Sequence, residues 1–328
     1  MNAKKANWAF LITIIVYITL ALFGAYLFPA MADSIAISNL TVEIAIFLPI
    51  LIFTLASGEK VISFWNFRKI KPCTILMIGL FTFFSMPVMT LFNLISQFWA
   101  DNEVTLMMET YHMADMSFWQ LWIPLGLVAP MFEEIICRGA FYRAYRKSAS
   151  AFKAMLLSAV IFACLHMNFN QAAYAMIMGI FAVLLVEATG SLWSSVLYHG
   201  LINSSSCLLM YAALKVDPDA SSTQAVTTDI LVVGTGMYLI WAAAFLPFAF
   251  VVLAWISRHE GREGVLTGIW RERKWAPLSD TDKEGKMKKD KLITVPLVLA
   301  LILCLLVMTG IFYLAVAKLI IWLSQGLS

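Results

Sequence analysis

Seven residues in three short stretches have the types and spacing to do chemistry. They are Glu133, Glu134 and Arg138 in Glu133-Glu134-Ile135-Ile136-Cys137-Arg138, Phe162 and His166 in Phe162-Ala163-Cys164-Leu165-His166, and His199 and Asn203 in His199-Gly200-Leu201-Ile202-Asn203. Each stretch lies in apolar sequence, where an ionisable side chain is costly and marks a functional-site candidate. On a helix, residues four apart share a face. Glu134 can therefore pair with Arg138, while Glu133 points about 100° away, toward an expected cavity. Phe162 with His166, and His199 with Asn203, form two further one-faced stripes. A carboxylate beside an imidazole, Glu133 with His166, could activate water as a general base. His199 and Asn203 could donate hydrogen bonds to an oxyanion developing on a substrate carbonyl. This layout suits peptide hydrolysis without a covalent intermediate, and no serine or cysteine stands as an obvious nucleophile within the stretches. Alternatively, Glu133, His166 and His199 could hold Zn²⁺ through one carboxylate and two imidazoles. The HExxH spacing is absent, so the expectation is no cofactor, with Zn²⁺ as the alternative.

The elements that must carry these residues follow from composition. The 328 residues are 61% apolar and 13% charged, against about 45–50% and about 25% in soluble domains. That excludes an ordinary soluble enzyme, and 13% aromatic content excludes disorder. The apolar residues fall in continuous blocks near the length of about 20 residues that crosses a bilayer as a helix. Barrel strands would alternate instead. The expected class is an all-α polytopic membrane protein with about nine transmembrane helices, at 8–29, 40–57, 73–99, 118–147, 151–167, 172–188, 191–213, 231–257 and 292–317. These group as 1–117 (three helices), 118–213 (a core of four helices holding the motifs), 214–257 (helix eight), 258–291 (a charged loop) and 292–328 (helix nine). At about 1.5 Å per residue, Glu133 stands about 21 Å above Lys147 and His166 about 22 Å above Ala151. His199 and Asn203 stand about 12 and 18 Å beyond Ser191, so all four can meet near one level. Glu43 and Glu187 are expected at the interface, near span ends.

Charge placement supplies the topology. Of 23 basic residues, all but Lys215 and Lys318 fall at the N-terminus, in 58–72, in 138–153 or in 258–291. The 100–117 segment holds Asp101, Glu103, Glu109 and Asp115 without a Lys or Arg. The positive-inside rule then predicts a multi-pass protein of the plasma membrane, N-terminus cytoplasmic and C-terminus external. Ala30-Met31-Ala32 resembles a signal-peptide cleavage site, but the preceding apolar run is about twenty residues, longer than the usual 7–15, so an uncleaved first span is expected. The 258–291 loop reads as a solvated linker, with contact to anionic headgroups as the alternative. The five cysteines have no CxxC pair and suggest neither a disulfide framework nor a metal site. Nothing supports nucleic-acid binding; the expected partners are the bilayer and a peptide or membrane-protein substrate.

Taken together, EExxxR, FxxxH and HxxxN, in this order on separate helices, resemble the CPBP family of CAAX prenyl proteases and bacteriocin-processing or bacteriocin-immunity proteins. The likeness covers about 118–213. It implies an all-helical membrane core of about eight spans around a cavity, and intramembrane endoproteolysis. By the same resemblance, Glu133 with His166 activates water and His199 with Asn203 forms the oxyanion hole, with Glu134, Arg138 and Phe162 in support. The alternative function is a non-proteolytic scaffold or bacteriocin-immunity partner with the same fold; a proton-coupled carrier ranks below both.

Overall fold

A computed structural model of the chain describes residues 1–216, 227–271 and 291–326. The 272–290 part of the charged loop, with the linker and headgroup readings attached to it, lies outside the described residues. The longer helices are α1 (Ala3–Leu27), α2 (Ile35–Leu55), α3 (Pro72–Ser96), α4 (Phe118–Arg146), α5 (Ala151–Leu165), α6 (Phe169–Thr189), α7 (Leu192–Val216), α8 (Thr228–His259), α9 (Val295–Met308) and α10 (Ile311–Gly326). Among the described residues there is no strand, so the all-helical membrane class expected from composition is the one observed.

The count of spans differs from nine. Among the described residues, α1, α2, α3, α4, α6 and α8 are long and apolar enough to cross a membrane, six in all, and a seventh is reached if the bent pair α9–α10 is one span. Helix α5 has 15 residues, about 22 Å, short of a hydrocarbon core of about 30 Å. Helix α7 has 25 residues but carries His199, Asn203 and Ser204-Ser205-Ser206. Two of those hydroxyls return to their own helix, Ser205 to the Leu201 carbonyl (2.8 Å) and Ser206 to the Ile202 carbonyl (3.1 Å). Such back-bonding satisfies hydroxyls where water is scarce. Helices α9 and α10 meet at 80°, and Gly310 between them holds φ +73°, a conformation that side chains disfavour.

The helices around the motifs begin at side-chain caps. Gln120 accepts from the Ser117 backbone N–H at 2.8 Å at the start of α4. Asn168 accepts from the Gln171 N–H at 2.8 Å at the start of α6, and each cap satisfies a donor that the first turn leaves free. Gly190, at φ +68°, ends α6.

Helix α4 is not uniform. Ile123–Val128 and Ile135–Tyr142 are π-helical, flanking an α-helical Ala129–Glu134. Proline explains part of the first π turn. Pro130 has no N–H to offer the carbonyl five residues back, at Leu125. That carbonyl accepts instead from Asn203 Nδ2 on α7, at 2.9 Å. In the second π turn the Cys137 carbonyl accepts from Ser158 on α5, also at 2.9 Å. Neighbouring helices thus supply donors that the α4 ladder lacks.

Close approaches hold the remaining helices around α4. A Cβ on Gly179 of α6 would lie 3.0 Å from both Ala159 Cα and Arg138 Nη2, so this glycine lets α6 close on α5 over the arginine. Helix α8 runs along α3, with Phe84 stacked on Phe248 at 5.5 Å. Tyr145 of α4 donates to Asn7 Oδ1 of α1 at 2.7 Å, and Asn7 in turn donates to the Leu292 carbonyl at 2.8 Å. This buried chain of bonds ties the first helix to α4 and to the segment before α9.

Candidate active site

Adjacent carboxylates on α4 point to different surroundings. Glu134 and Arg138 are completely buried, and Arg138 Nη1 donates to Glu134 Oε1 at 2.8 Å. Glu133 is 18% exposed on its side chain and lines a cavity of about 280 Å³. His166, His199 and Asn203 line the same cavity. The structure therefore brings together the four residues expected to act, from three helices, and sets the Glu134–Arg138 pair behind them.

His199 connects the two carboxylates. Its Nδ1 lies 3.1 Å from Glu134 Oε1, and its Nε2 lies 3.6 Å from Glu133 Oε2. A carboxylate accepts, so Nδ1 carries the proton directed at Glu134 and Nε2 is the ring atom left toward Glu133 and the cavity. His166 is held differently. Its Nδ1 donates to the Phe162 carbonyl at 2.9 Å, because a carbonyl can only accept, which turns Nε2 away from its own helix. Asn168 donates to the His166 carbonyl at 2.8 Å. Met167 between them has φ +55°, so the reversal from α5 into α6 carries local strain beside the site.

Phe162 joins the three motifs. Its ring meets His166 edge-on at 4.9 Å and His199 at 5.6 Å, and the Arg138 guanidinium lies over it at 4.4 Å. Asn203 spends one amide N–H on Leu125 and keeps a second for the cavity.

Sequence reasoning missed two carboxylates. Glu43, expected at the interface, is 4% exposed on α2, lines the same cavity, and has an Oε2 without a partner among the described residues. The physical reason is depth: α2 starts at Ile35, so Glu43 lies eight residues, about 12 Å, inside it. A lone acid in the run Val42-Glu43-Ile44-Ala45-Ile46 was the available signal. Glu103, from the short helix Glu103–Thr110 outside the spans, also lines the cavity. Burial, with Asp101 nearby, pushes its carboxyl above the ordinary range. Glu187, also expected at the interface, is held by Tyr142 and Arg262 at the opposite end of the core.

Among the described residues no three His, Cys, Asp or Glu side chains are grouped to hold an ion. His199 directs Nδ1 at Glu134 and His166 directs Nδ1 at the Phe162 carbonyl, so in each ring Nε2 is the nitrogen left over.

Residues 115–205 match the family model described as Rce1-like, type II CAAX prenyl endopeptidase. Over this segment the chain is similar to the CAAX protease family. The likeness drawn from the three motifs is thereby supported, and the matched segment contains all seven motif residues. Endopeptidase action is the family-level activity, and the apolar helices make this a multi-pass membrane protein. Helices α1, α2, α3, α8, α9 and α10 lie outside the CAAX protease match. No curated protein and no solved structure matches the chain.

Proposed function

We propose that the chain is an intramembrane endopeptidase that cleaves a peptide or membrane-protein substrate by direct attack of water. The observation carrying this reading is that Glu133, His166, His199 and Asn203 line one cavity in the helical core. Glu133 takes a proton from water, with His166 Nε2 orienting that water by hydrogen bonding. The resulting hydroxide adds to the scissile carbonyl carbon. Asn203, through its second amide N–H, and His199, through Nε2 when doubly protonated, stabilise the oxyanion. Transfer of the proton from Glu133 to the amine then lets the C–N bond break, giving a carboxylate and a free amine. The buried Glu134–Arg138 pair fixes the His199 ring and leaves Glu133 to the cavity.

The protein acts in the plasma membrane with its N-terminus cytoplasmic, a reading supported by the basic 58–72 and 138–153 segments. An external C-terminus further requires the bent pair α9–α10 to cross the membrane as one span, and a C-terminal reporter fusion reads the side. The reaction as written uses no cofactor. Chelation should leave cleavage unchanged; activity lost with a chelator and restored by Zn²⁺ would replace this mechanism with the zinc alternative.

The deciding experiment compares membrane-derived peptides from cells expressing the wild type or Glu133→Gln. Uncleaved substrate should accumulate with Glu133→Gln and with His166→Ala at unchanged protein level. Full cleavage by Glu133→Gln would overturn the proposal, and a biological role retained by that variant would favour the scaffold or immunity reading.

A further inference from the structure

A second cavity, of about 660 Å³, opens where α4 and α6 end and α5 begins, beside Arg68 and the segment around Arg262. Arg143 stands ten residues beyond Glu133 on α4, about 15 Å along the axis, so this cavity is separate from the candidate active site. Four arginines line it: Arg68, Arg143, Arg146 and Arg262. Among the described residues two carboxylates oppose them, and both are engaged. Glu187 accepts from the Tyr142 hydroxyl at 2.6 Å, with Arg262 Nη2 at 3.6 Å and Arg146 Nε at 4.0 Å. Glu263 pairs with Arg258 at 3.2 Å, where both side chains are exposed.

The decisive group is Arg143. It is half-buried, and its Nε is inaccessible and has no acceptor among the described residues. Arg143 also lines the cavity, so an oxyanion there would meet a guanidinium whose hydrogen-bonding capacity is not fully spent within the described residues. Arg262 is meanwhile fixed in place, its Nε donating to the Glu187 carbonyl at 2.6 Å. Its guanidinium packs over Gly190, where a Cβ would come within 3.0 Å of Nη1. Arg143 and Arg262 are thus held by packing, and Arg68 adds an exposed guanidinium at the rim.

We propose that this cavity binds a phosphate group, carried either by an anionic lipid headgroup or by a soluble phosphate ester. Arg143 and Arg68 are the main donors, and Arg146 and Arg262 complete the positive wall. Guanidinium donors match phosphate oxygens in pairs. The cavity sits at the end of the helix bundle that bears basic residues, the level at which inter-helical basic pockets meet headgroups. The site does not depend on the protease reading.

The test uses the full chain in phosphatidylcholine nanodiscs, titrated with inorganic phosphate and with glycerol 3-phosphate. A parallel set of discs is doped with phosphatidylglycerol. Binding is read by thermal melting and by native mass spectrometry of retained lipid. Saturable binding of phosphate or its ester in the neutral discs assigns a soluble source; selective retention of phosphatidylglycerol assigns the headgroup. In either case Arg143→Gln and, separately, Arg68→Gln should weaken binding about tenfold, whereas Arg258→Gln should not. Arg68 is exposed, so that variant keeps the test valid if Arg143→Gln misfolds. Absence of saturable binding by every probe, or binding unchanged in both variants, overturns the proposal.

Discussion

The Nδ1 of His199 lies 3.1 Å from Oε1 of Glu134, so the first and third motifs meet through a hydrogen bond between residues 65 positions apart. The same Oε1 accepts from Arg138 at 2.8 Å. One carboxylate oxygen thus neutralises a buried guanidinium and orients an imidazole.

Removing that carboxylate should unfold and disable the protein in separable ways. Glu134→Ala leaves Arg138 buried and uncompensated, at a cost of about 3–5 kcal/mol. Glu134→Gln still accepts a hydrogen bond but loses the charge and can present the wrong dipole to His199. Its cleavage rate should fall by about 10²–10⁴-fold, as when an orienting carboxylate is neutralised in a triad, with a smaller loss of stability. Denaturation in detergent and turnover measured on the same preparations distinguish the two effects.

Asn203 has two tasks, and substitutions should divide them. Asn203→Ala removes an oxyanion donor, lowering kcat by about 10²–10³-fold with little change in KM. It also strips the Leu125 carbonyl of its partner, at about 1–3 kcal/mol. Asn203→Asp is expected to be worse than Ala in stability, since a carboxylate cannot donate to Leu125 and would face its carbonyl. Melting curves of both variants should reproduce that order.

Gly179→Ala should destabilise although it adds one methyl group. The new Cβ would meet Ala159 Cα and Arg138 Nη2, each at 3.0 Å. Backbone on α5 cannot swing aside as a flexible side chain would, so the helices must separate. Overpacking of this kind costs about 1–3 kcal/mol. Thermal denaturation should show the loss, whereas Gly236→Ala, with open space around its Cβ, should differ from wild type by helix propensity alone.

A pH dependence is expected from Glu59, which lies outside the spans. Partial burial pushes its carboxyl up, but hydrogen bonds from Lys147 (2.6 Å) and from the Met1 amine outweigh that and hold it below its usual 4.5. A folded value below the unfolded one means the stabilisation is fully present above pH 4.5 and is lost as pH falls through the folded value. The group is only partly buried, so solvent screens the interaction and the effect is small. The melting-temperature gap between wild type and Glu59→Gln should be constant from neutral pH down to about 5 and close below 4.5. A gap that widened on acidification would contradict the assignment.

Several features were legible before any coordinates. Continuous apolar runs require helices in a bilayer, and four-residue spacing alone pairs Glu134 with Arg138. Local spacing also puts His166 on the Phe162 face, where its ring now meets Phe162 edge-on at 4.9 Å. Other features were hidden by the assumption of a uniform 3.6-residue helix. The π turns of α4 depend on which neighbours can supply donors, and Ser158 and Asn203 are remote in sequence from Cys137 and Leu125.

The span count of nine is left unconfirmed for a related reason. Hydropathy scores α5 and α7 one residue at a time, yet the length of α5 and the hydroxyl back-bonds of α7 decide whether each can face lipid alone. The bend after Met308 likewise turns on the backbone at Gly310.

The sequence by itself determined the membrane class, the family likeness and the residues that share a helix face, because hydropathy and helical periodicity act over a few turns. Only the tertiary structure decided that Glu43 enters the cavity with Glu133, that His199 spans two carboxylates, and that four arginines gather at the far end of α4. Those relationships depend on how helices distant in the chain are rotated and how deeply they are set against one another. Close packing of the whole bundle, at contacts such as Gly179 against Ala159, fixes both.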